Sequence, residues 1–271
     1  MTLTSTNWLN ENFNKVKIID SSWHLAKDRS GLKEYKKEHI NNAIFFDLDK
    51  QSNQIKKLPH GHFLPSLEDH TKKVSEMGIS NTDQIIFYCH SDLVSSCRAW
   101  FQFLYFGHNP KLISVLNGGM KKWKLEKRNV TNAQTKITPS KYMANENKNM
   151  VKIKSQIDQN MIEKKFMILD ARSKKRFLGL EAEPRPGIKS GSIKGSKSLP
   201  LSQLINLKDN TFLSEEKLKH IFNEKEARDN EIVMSCGSSV SAASLALAYS
   251  LINDDYTPKI YIGSWTEYGK K

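Results

Sequence analysis

One cysteine stands where an apolar, strand-like run gives way to a helix-like run. Cys236 follows "EIVMS" and precedes a series of small residues, Gly237, Ser238, Ser239, Val240 and Ser241. Such residues let the backbone curl around a sulfur atom. Amides that converge at a helix N-terminus stabilise an anion and lower the pKa of a thiol. Because the thiolate is the form that attacks, Cys236 is the candidate nucleophile, and a buried structural thiol is the alternative.

Two arginines lie upstream, in the segment "SKKRFLGLEAEPRPG". Arg176 and Arg185 fall in a predicted loop region, where guanidinium groups are not needed for packing. Two fixed guanidinium forks suit a small carboxylate or oxyanion, and they would further favour the thiolate form of a nearby cysteine. The pattern therefore predicts a nucleophile beside an anion-binding pair of arginines.

The other two cysteines lack this setting. Cys89 is followed by His90, Ser91 and Asp92, with no glycine to relax the turn and with a carboxylate that disfavours a nearby thiolate. Cys97 lies in the apolar, helix-like run "SSCRAWFQFLYF", which favours a buried structural thiol. Three cysteines without zinc-type spacing predict no disulfide framework, no structural zinc and a reducing compartment.

The distribution of charged and apolar residues argues against a nucleic-acid-binding, a secreted or a membrane-spanning protein. The chain has 271 residues and a formal net charge of +13. Its lysines are scattered, and the densest run, "KKWKLEKR", favours a solvated helix face over a nucleic-acid patch. No secretory leader or run of about 18 apolar residues is present, so we expect a cytoplasmic protein without membrane spans.

The chain contains the same order of landmarks twice. "VKIID" ending at Asp20 matches "FMILD" ending at Asp170, 150 residues later, and "QIIFYC" ending at Cys89 matches "EIVMSC" ending at Cys236, 147 residues later. Strand-like runs alternate with helix-length segments in each copy, which predicts an α/β fold. We expect two tandem domains, each a mainly parallel sheet with helices on both faces. The predicted parts are 1–135, a linker at 136–154, and 155–271.

Several motifs together resemble one family. "CGSSVSA" resembles C-G-S-G-V-T-A, and "RFLGLEAEPRPG" resembles R-F-x-G-x-x-P-E-P-R. Further matches are "IDSSW", "HINNAIFFDLD", "HFLP", "VLNGG" and "IGSW". Over nearly its whole length the chain resembles the tandem-domain rhodanese-like sulfurtransferases, most closely those that use 3-mercaptopyruvate.

The resemblance implies roles for specific residues. Cys236 becomes a persulfide, and Arg176 and Arg185 grip the carboxylate and keto oxygen of the donor. Ser238 acts in a proton relay with His62 and Asp49, which the first domain contributes across a cleft between the domains. Substrate binding also falls to the remaining loop residues, Gly237, Ser239, Val240 and Ser241.

The chain departs from the family pattern at two points near this site. Ser239 stands where the family has glycine, which places a β-carbon in a tight turn. The segment before "HFLP" is also longer than usual, so that either His60 or His62 could be the relay residue. His62 is preferred because it directly precedes Phe-Leu-Pro. A metal at this pair is disfavoured, since no third ligand lies nearby in sequence.

The same reasoning sets the expected reaction and its rivals. Sulfur would pass from 3-mercaptopyruvate to a small thiol, cyanide or a thioredoxin-like protein, without a cofactor. Thiosulfate is the alternative donor, but thiosulfate-specific loops resemble C-R-K-G-V-T, whereas Gly237 and Ser238 are neutral. Phosphatase chemistry is disfavoured because Ala242 stands where an arginine is needed. A non-catalytic basic binding module is the remaining alternative, with a structural Cys236.

Overall fold

The computed structural model describes residues 2–53, 61–227 and 231–270. Contacts divide the chain into two units. The first unit contains Met1–Gln51, Leu64–Asn147 and Asn206–Phe212. The second unit contains Ser52–Phe63, Lys148–Ile205 and Leu213–Lys271. Each unit therefore includes a short segment from the other half of the sequence, while the predicted boundaries at 135 and 155 stay a prediction.

A five-stranded sheet forms the centre of the first unit. Its strands are β1 (Leu3–Thr4), β2 (Lys17–Asp20), β3 (Ala43–Phe45), β4 (Ile85–Tyr88) and β5 (Ile113–Leu116). The strand order is β1-β5-β4-β2-β3, and every pair is parallel. Strand β4 is buried along its whole length, as its uninterrupted apolar sequence predicts for a central parallel strand.

The second unit repeats this sheet. Its strands are β6 (Val151–Lys152), β7 (Phe166–Asp170), β8 (Lys197–Ser198), β9 (Glu231–Ser235) and β10 (Ile260–Tyr261). The order β6-β10-β9-β7-β8 is the order of the first sheet, strand for strand, and all pairs are again parallel. The predicted duplication of a mainly parallel α/β unit is confirmed.

Helices connect the strands. In the first unit they are α1 (Thr6–Asn12), α2 (Gly31–Lys37), α3 (Leu67–Glu76), α4 (Ser96–Tyr105) and α5 (Gly119–Leu125). In the second unit they are α6 (Lys154–Glu163), α7 (Lys174–Phe177), α8 (Glu215–Glu224), α9 (Val240–Ser250) and α10 (Ser264–Tyr268). Short 3-10 helices occur at Pro110–Leu112, Lys148–Met150 and Leu201–Gln203. Ser66 caps α3 by accepting a hydrogen bond from the Asp69 amide, as the Ser-Leu-Glu-Asp sequence predicts.

Two helices that follow central strands are buried almost all round. In α9, residues 240–249 are buried, which its run of alanine, serine and leucine permits. Helix α4 is similarly buried and contains Cys97, so the predicted burial of this thiol in an apolar helix is confirmed. Both helices start near the carboxyl end of a central strand, where parallel α/β sheets bind their ligands.

The predicted linker is more structured than expected. Residues 151 and 152 form β6 and pair with β10. Farther upstream, the Ser140 amide donates to the Ser75 carbonyl at 2.9 Å, and the Asn145 amide donates to the Phe106 carbonyl at 3.0 Å. Its polar sequence therefore satisfies backbone groups of the first unit, and a polar, weakly periodic stretch alone does not reveal such pairing.

Candidate active site

The loop after β9, residues 236–239, holds Cys236 at the carboxyl end of the strand and is here called the Cys236 loop. Cys236 is only 2% exposed. Its carbonyl accepts from the Trp265 amide at 2.9 Å, and the Gly237 carbonyl accepts from the Thr266 amide at 2.9 Å. The first turn of α10 thus fixes two loop carbonyls, which keeps the loop's backbone in one conformation.

Ser264 fixes the opposite side of the same backbone. Its Oγ accepts from the amides of Cys236, at 3.3 Å, and Ser239, at 3.1 Å. These two amides are therefore occupied by Ser264 instead of the sulfur. Sequence reasoning assigned the whole loop to anion binding, and it missed Ser264 because this residue lies 28 positions after Cys236 in the chain.

The backbone amides at the start of α9 follow directly after the Cys236 loop. The first four N–H groups of a helix have no partner within the helix. Within the described chain, Ser239 makes no side-chain capping bond to the first turn of α9. The backbone amides of Val240 and Ser241, which are both buried, begin α9 and therefore provide the positive end of the helix dipole beside the Cys236 loop.

Ser239 adopts the left-handed backbone conformation, with φ 62° and ψ 5°. A residue with a side chain pays roughly 1–2 kcal/mol for this conformation, whereas glycine does not. The β-carbon of Ser239 therefore does lie in a turn whose backbone conformation favours glycine. The turn keeps its left-handed conformation, and Ser239, fully buried, accommodates it through the contacts of its amide and hydroxyl groups.

The two predicted arginines converge on Gly237. A β-carbon built on Gly237 would lie 3.0 Å from Arg185 Nη1 and 3.2 Å from Arg176 Nη2. Arg185 is 6% exposed, and its Nη2 donates to Ser238 Oγ at 2.8 Å. The absence of a side chain at Gly237 therefore leaves the space next to the nucleophile to two guanidinium groups.

A carboxylate that sequence reasoning missed, Glu183, orients Arg176 and a third arginine, Arg172. Glu183 Oε2 accepts from Arg176 Nη2 at 2.5 Å, and Glu183 Oε1 accepts from Arg172 Nη1 at 2.7 Å. Arg172 also binds Asp170 at the end of β7 and lies over the Trp265 ring at 4.8 Å. Burial opposes the charge of Arg172, but Asp170 and Glu183 outweigh it and raise the pKa of Arg172. The sequence did contain a signal for this role, since Glu183 lies between the two predicted anion-binding arginines.

His62 meets the Cys236 loop through both its ring and its peptide. Its Nδ1 lies 3.0 Å from Ser238 Oγ, and its carbonyl accepts from Ser239 Oγ at 3.3 Å. Ser238 Oγ already accepts from Arg185, so its own proton can point toward the imidazole. His62 is 1% exposed and belongs to the segment Ser52–Phe63 of the second unit.

The remaining relay candidates are differently placed. Asp49 is an exposed residue of the first unit, and its Oδ1 accepts from Trp23 Nε1 at 3.1 Å. His60 lies outside the described residues. The structure thus brings Ser238, His62, Arg185 and Gly237 together, whereas the relay role of Asp49 stays a prediction. Among the described residues, no cluster of three or more His, Cys, Asp or Glu side chains could hold a metal ion.

The equivalent loop of the first unit, residues 89–95, is here called the Cys89 loop. Cys89 is 4% exposed, and its Sγ lies 3.6 Å from the Ser91 carbonyl oxygen and 3.4 Å from Ser96 Oγ. Burial is the main cause that raises the pKa of the Cys89 thiol. Asp92 was expected to be responsible, but its side chain is 69% exposed and interacts with Arg29 and Asn210. The loss of reactivity stays a prediction, and the raised pKa that supports it comes mainly from burial and not from Asp92.

Comparisons with known proteins agree with the duplicated fold. The family profile of the rhodanese-like domain matches residues 5–126 and 154–271. The mitochondrial thiosulfate/3-mercaptopyruvate sulfurtransferase 1 of Arabidopsis thaliana is 33% identical, over 98% of this chain and 75% of the relative. The human 3-mercaptopyruvate sulfurtransferase is 31% identical, over 93% and 84%. Rat thiosulfate sulfurtransferase is 32% identical, over 99% and 92%.

A solved structure extends this agreement to three dimensions. The 3-mercaptopyruvate sulfurtransferase SseA from Escherichia coli superposes with a TM-score of 0.87 at 27% identity, over 98% of this chain and 99% of that chain. With two family matches and relatives above 30% identity over nearly the whole chain, the protein belongs to the rhodanese family. It is a sulfur-transferring enzyme with two rhodanese-like domains.

Over residues 2–53, 61–227 and 231–270, no helix is both long and apolar enough to cross a bilayer.

Proposed function

We propose that the protein transfers sulfur from 3-mercaptopyruvate to a thiol or cyanide acceptor through a persulfide on Cys236, and that it releases pyruvate. The observation that carries this proposal is the pair of guanidinium groups at Gly237, the residue that follows Cys236 in the chain. Two cationic forks suit a compact 2-oxo acid, whose carboxylate and keto oxygen are adjacent.

In the first step the Cys236 thiolate attacks the thiol sulfur of the donor. The new S–S bond forms as the bond between that sulfur and C3 breaks, and the electron pair remains on the three-carbon fragment as the pyruvate enolate. Arg176 binds the carboxylate, and Arg185 stabilises the oxygen on which negative charge develops. The enolate then takes up a proton at C3 and leaves as pyruvate.

Ser238 and His62 carry the protons of this step. Arg185 donates to Ser238 Oγ, so that the hydroxyl proton is directed toward His62 Nδ1 or the substrate. In this proposal the pair accepts the proton of the donor thiol and returns one to the enolate. Asp49 is proposed as the third member of this relay.

In the second step an acceptor thiolate or cyanide attacks the outer sulfur, and Cys236 leaves as a thiolate.

Thiosulfate is the second candidate donor, because the rat relative at 32% identity is a thiosulfate sulfurtransferase. The neutral residues Gly237 and Ser238 support the 2-oxo acid in this proposal. A charged side chain at position 237, as in the thiosulfate-specific loop pattern, would require the guanidinium groups of Arg185 and Arg176 to move, since a β-carbon there already lies 3.0 and 3.2 Å from them. The local positive charge is supplied by these arginines from outside the loop.

The acceptor is proposed to be a small thiol or a thioredoxin-like protein, and the compartment is proposed to be the cytoplasm. The Arabidopsis thaliana relative is a mitochondrial protein. Location is therefore a separate question from the reaction.

One assay separates these proposals. Purified protein is given 3-mercaptopyruvate or thiosulfate with excess cyanide, and kcat/KM for each donor is compared; a second sample without acceptor is digested for peptide mass spectrometry. We expect pyruvate release, one added sulfur mass on the Cys236 peptide, and a higher kcat/KM for 3-mercaptopyruvate. A higher kcat/KM for thiosulfate would favour the second candidate. Pyruvate release without sulfur on Cys236 would contradict the persulfide mechanism.

A further inference from the structure

Ser239 combines two features that are rarely found together. It is fully buried, and its φ of 62° lies in the left-handed region that disfavours a side chain. A serine persists at such a position when its side chain makes a contact that glycine could not make. The contact present is the hydrogen bond from Ser239 Oγ to the His62 carbonyl, at 3.3 Å.

This hydrogen bond links the Cys236 loop to a residue that lies 177 positions away in the chain. The Ser239 amide donates to Ser264 Oγ at 3.1 Å, so the serine itself is anchored to α10. A fixed loop residue therefore holds the peptide of His62.

The neighbouring residue holds the ring of the same histidine. Ser238 Oγ lies 3.0 Å from His62 Nδ1 and accepts from Arg185 Nη2 at 2.8 Å. Adjacent loop residues thus hold His62 at two points, one on the backbone and one on the imidazole. Small displacements of a proton-transferring group lower its efficiency strongly.

We propose that Ser239 is a positioning residue for proton transfer: its hydroxyl group holds the His62 peptide so that the imidazole stays within hydrogen-bond reach of Ser238. The proposal rests on the proposed function, in which Ser238 and His62 move protons. Ser239 acts through His62. Its hydrogen bond to the His62 carbonyl offsets the cost of the left-handed backbone, which a glycine would adopt without strain.

Two substitutions separate positioning from a purely structural role. Ser239→Ala removes the hydroxyl group but keeps the β-carbon, while Ser239→Gly also relieves the backbone. Both are expected to lower kcat for 3-mercaptopyruvate by about 3- to 10-fold, the value of one hydrogen bond, and to leave KM within about twofold. Ser239→Gly is nevertheless expected to melt at or above the wild-type temperature. A Ser239→Gly variant with wild-type kcat would overturn the proposal.

A double-mutant comparison tests whether the effect passes through His62. In a His62→Ala background, Ser239→Ala is expected to cause no further loss of kcat, because no imidazole remains to be positioned. An equal loss in both backgrounds would show that Ser239 acts on the loop alone.

A readout without turnover separates this proposal from the proposed function. The ring ¹⁵N shifts of His62 report its hydrogen bond to Ser238, and Ser239→Ala is expected to move them toward those of the exposed His220. Unchanged ring shifts in Ser239→Ala would overturn the positioning role. If the shifts move but the wild type releases no pyruvate, the proposed function fails while the contact between Ser239 and His62 stands.

Discussion

The two cysteine loops follow equivalent central strands but surround their sulfur atoms differently. Helix α9 begins at Val240, four positions after Cys236, whereas α4 begins at Ser96, seven positions after Cys89. In the Cys89 loop the sulfur faces the Ser91 carbonyl oxygen, which stabilises a protonated thiol and not a thiolate. The carboxyl end of a central parallel strand thus positions a cysteine in both units. The length and composition of the loop that follows determine whether this cysteine is reactive.

Charge separates the two copies as well. Asp170, at the end of β7, binds Arg172, and the arginines of this region meet at Glu183 and Gly237. Asp20, at the end of β2, instead accepts from the amide of Ser22, and its Oδ2 lies 3.5 Å from His90 Nε2. Beside the equivalent carboxylate, the second unit therefore places a guanidinium group and the first unit an imidazole.

Removal of each thiol gives the largest contrast. Cys236→Ser is expected to lower sulfur transfer by about 10³-fold or more, because the hydroxyl group cannot carry the sulfur. Cys89→Ser is expected to retain wild-type activity. Steady-state pyruvate release measures both. Equal losses in the two variants would mean that the loops do not differ in the way described.

Replacement of a buried guanidinium group by an ammonium group keeps the charge and tests the role of the fork geometry. Arg185→Lys is expected to lower kcat/KM for 3-mercaptopyruvate by about 10²-fold, since one ammonium group cannot bind Ser238 and the donor in the same fork geometry. Arg29→Lys, at a partly exposed arginine of the first unit, serves as the matched control and should change kcat/KM by less than about twofold. A tolerated Arg185→Lys would argue against a bound keto oxygen at this position.

A smaller effect is expected from filling the space at Gly237. In Gly237→Ala the β-carbon would displace the Arg185 and Arg176 side chains by a few tenths of an ångström. We expect KM for 3-mercaptopyruvate to rise about 10-fold. The control is Gly187→Ala, since no atom of the described residues lies within 4 Å of a β-carbon there and only its positive φ is strained. That variant should lose stability but keep its KM.

The smallest effect concerns an acidic residue of the first unit. Burial raises the pKa of Glu34, but hydrogen bonds from Arg29 and His24 outweigh this and hold the pKa below its ordinary value. A lowered pKa adds stability above the unfolded-state value, and this contribution is lost as pH falls through the folded-state pKa. Glu34→Gln should therefore destabilise the protein by about 0.5 kcal/mol or less near pH 7, because the group is partly exposed.

Melting temperatures of wild type and Glu34→Gln across pH provide the measurement. Their difference should shrink as the solution is acidified below the ordinary glutamate value, while sulfur transfer at neutral pH stays unchanged. The exposed Glu76→Gln is the control. A difference that grows in acid would reverse the sign of the argument.

Sequence reasoning reached the fold because each copy carries its own strand and helix signals in the same order. It also reached Cys236, Gly237 and the two arginines, which lie in short local motifs. It missed Glu183 and Ser264, whose roles depend on partners brought close by folding. The pairing of His62 with Ser238 was expected only from the family resemblance, since 176 residues separate them and no local pattern connects them.

The most direct test of the central claim is competitive labelling of the native protein with iodoacetate, a small carboxylate reagent, followed by peptide mapping across roughly pH 6 to 9. Because Arg176 and Arg185 meet at the neighbouring Gly237 and α9 begins four positions after Cys236, we expect Cys236 to be labelled at least about 10-fold faster than Cys89 at neutral pH. We also expect Cys89 to react mainly after unfolding. Equal labelling of the two cysteines, or a Cys236 that reacts only in the unfolded protein, would contradict the account.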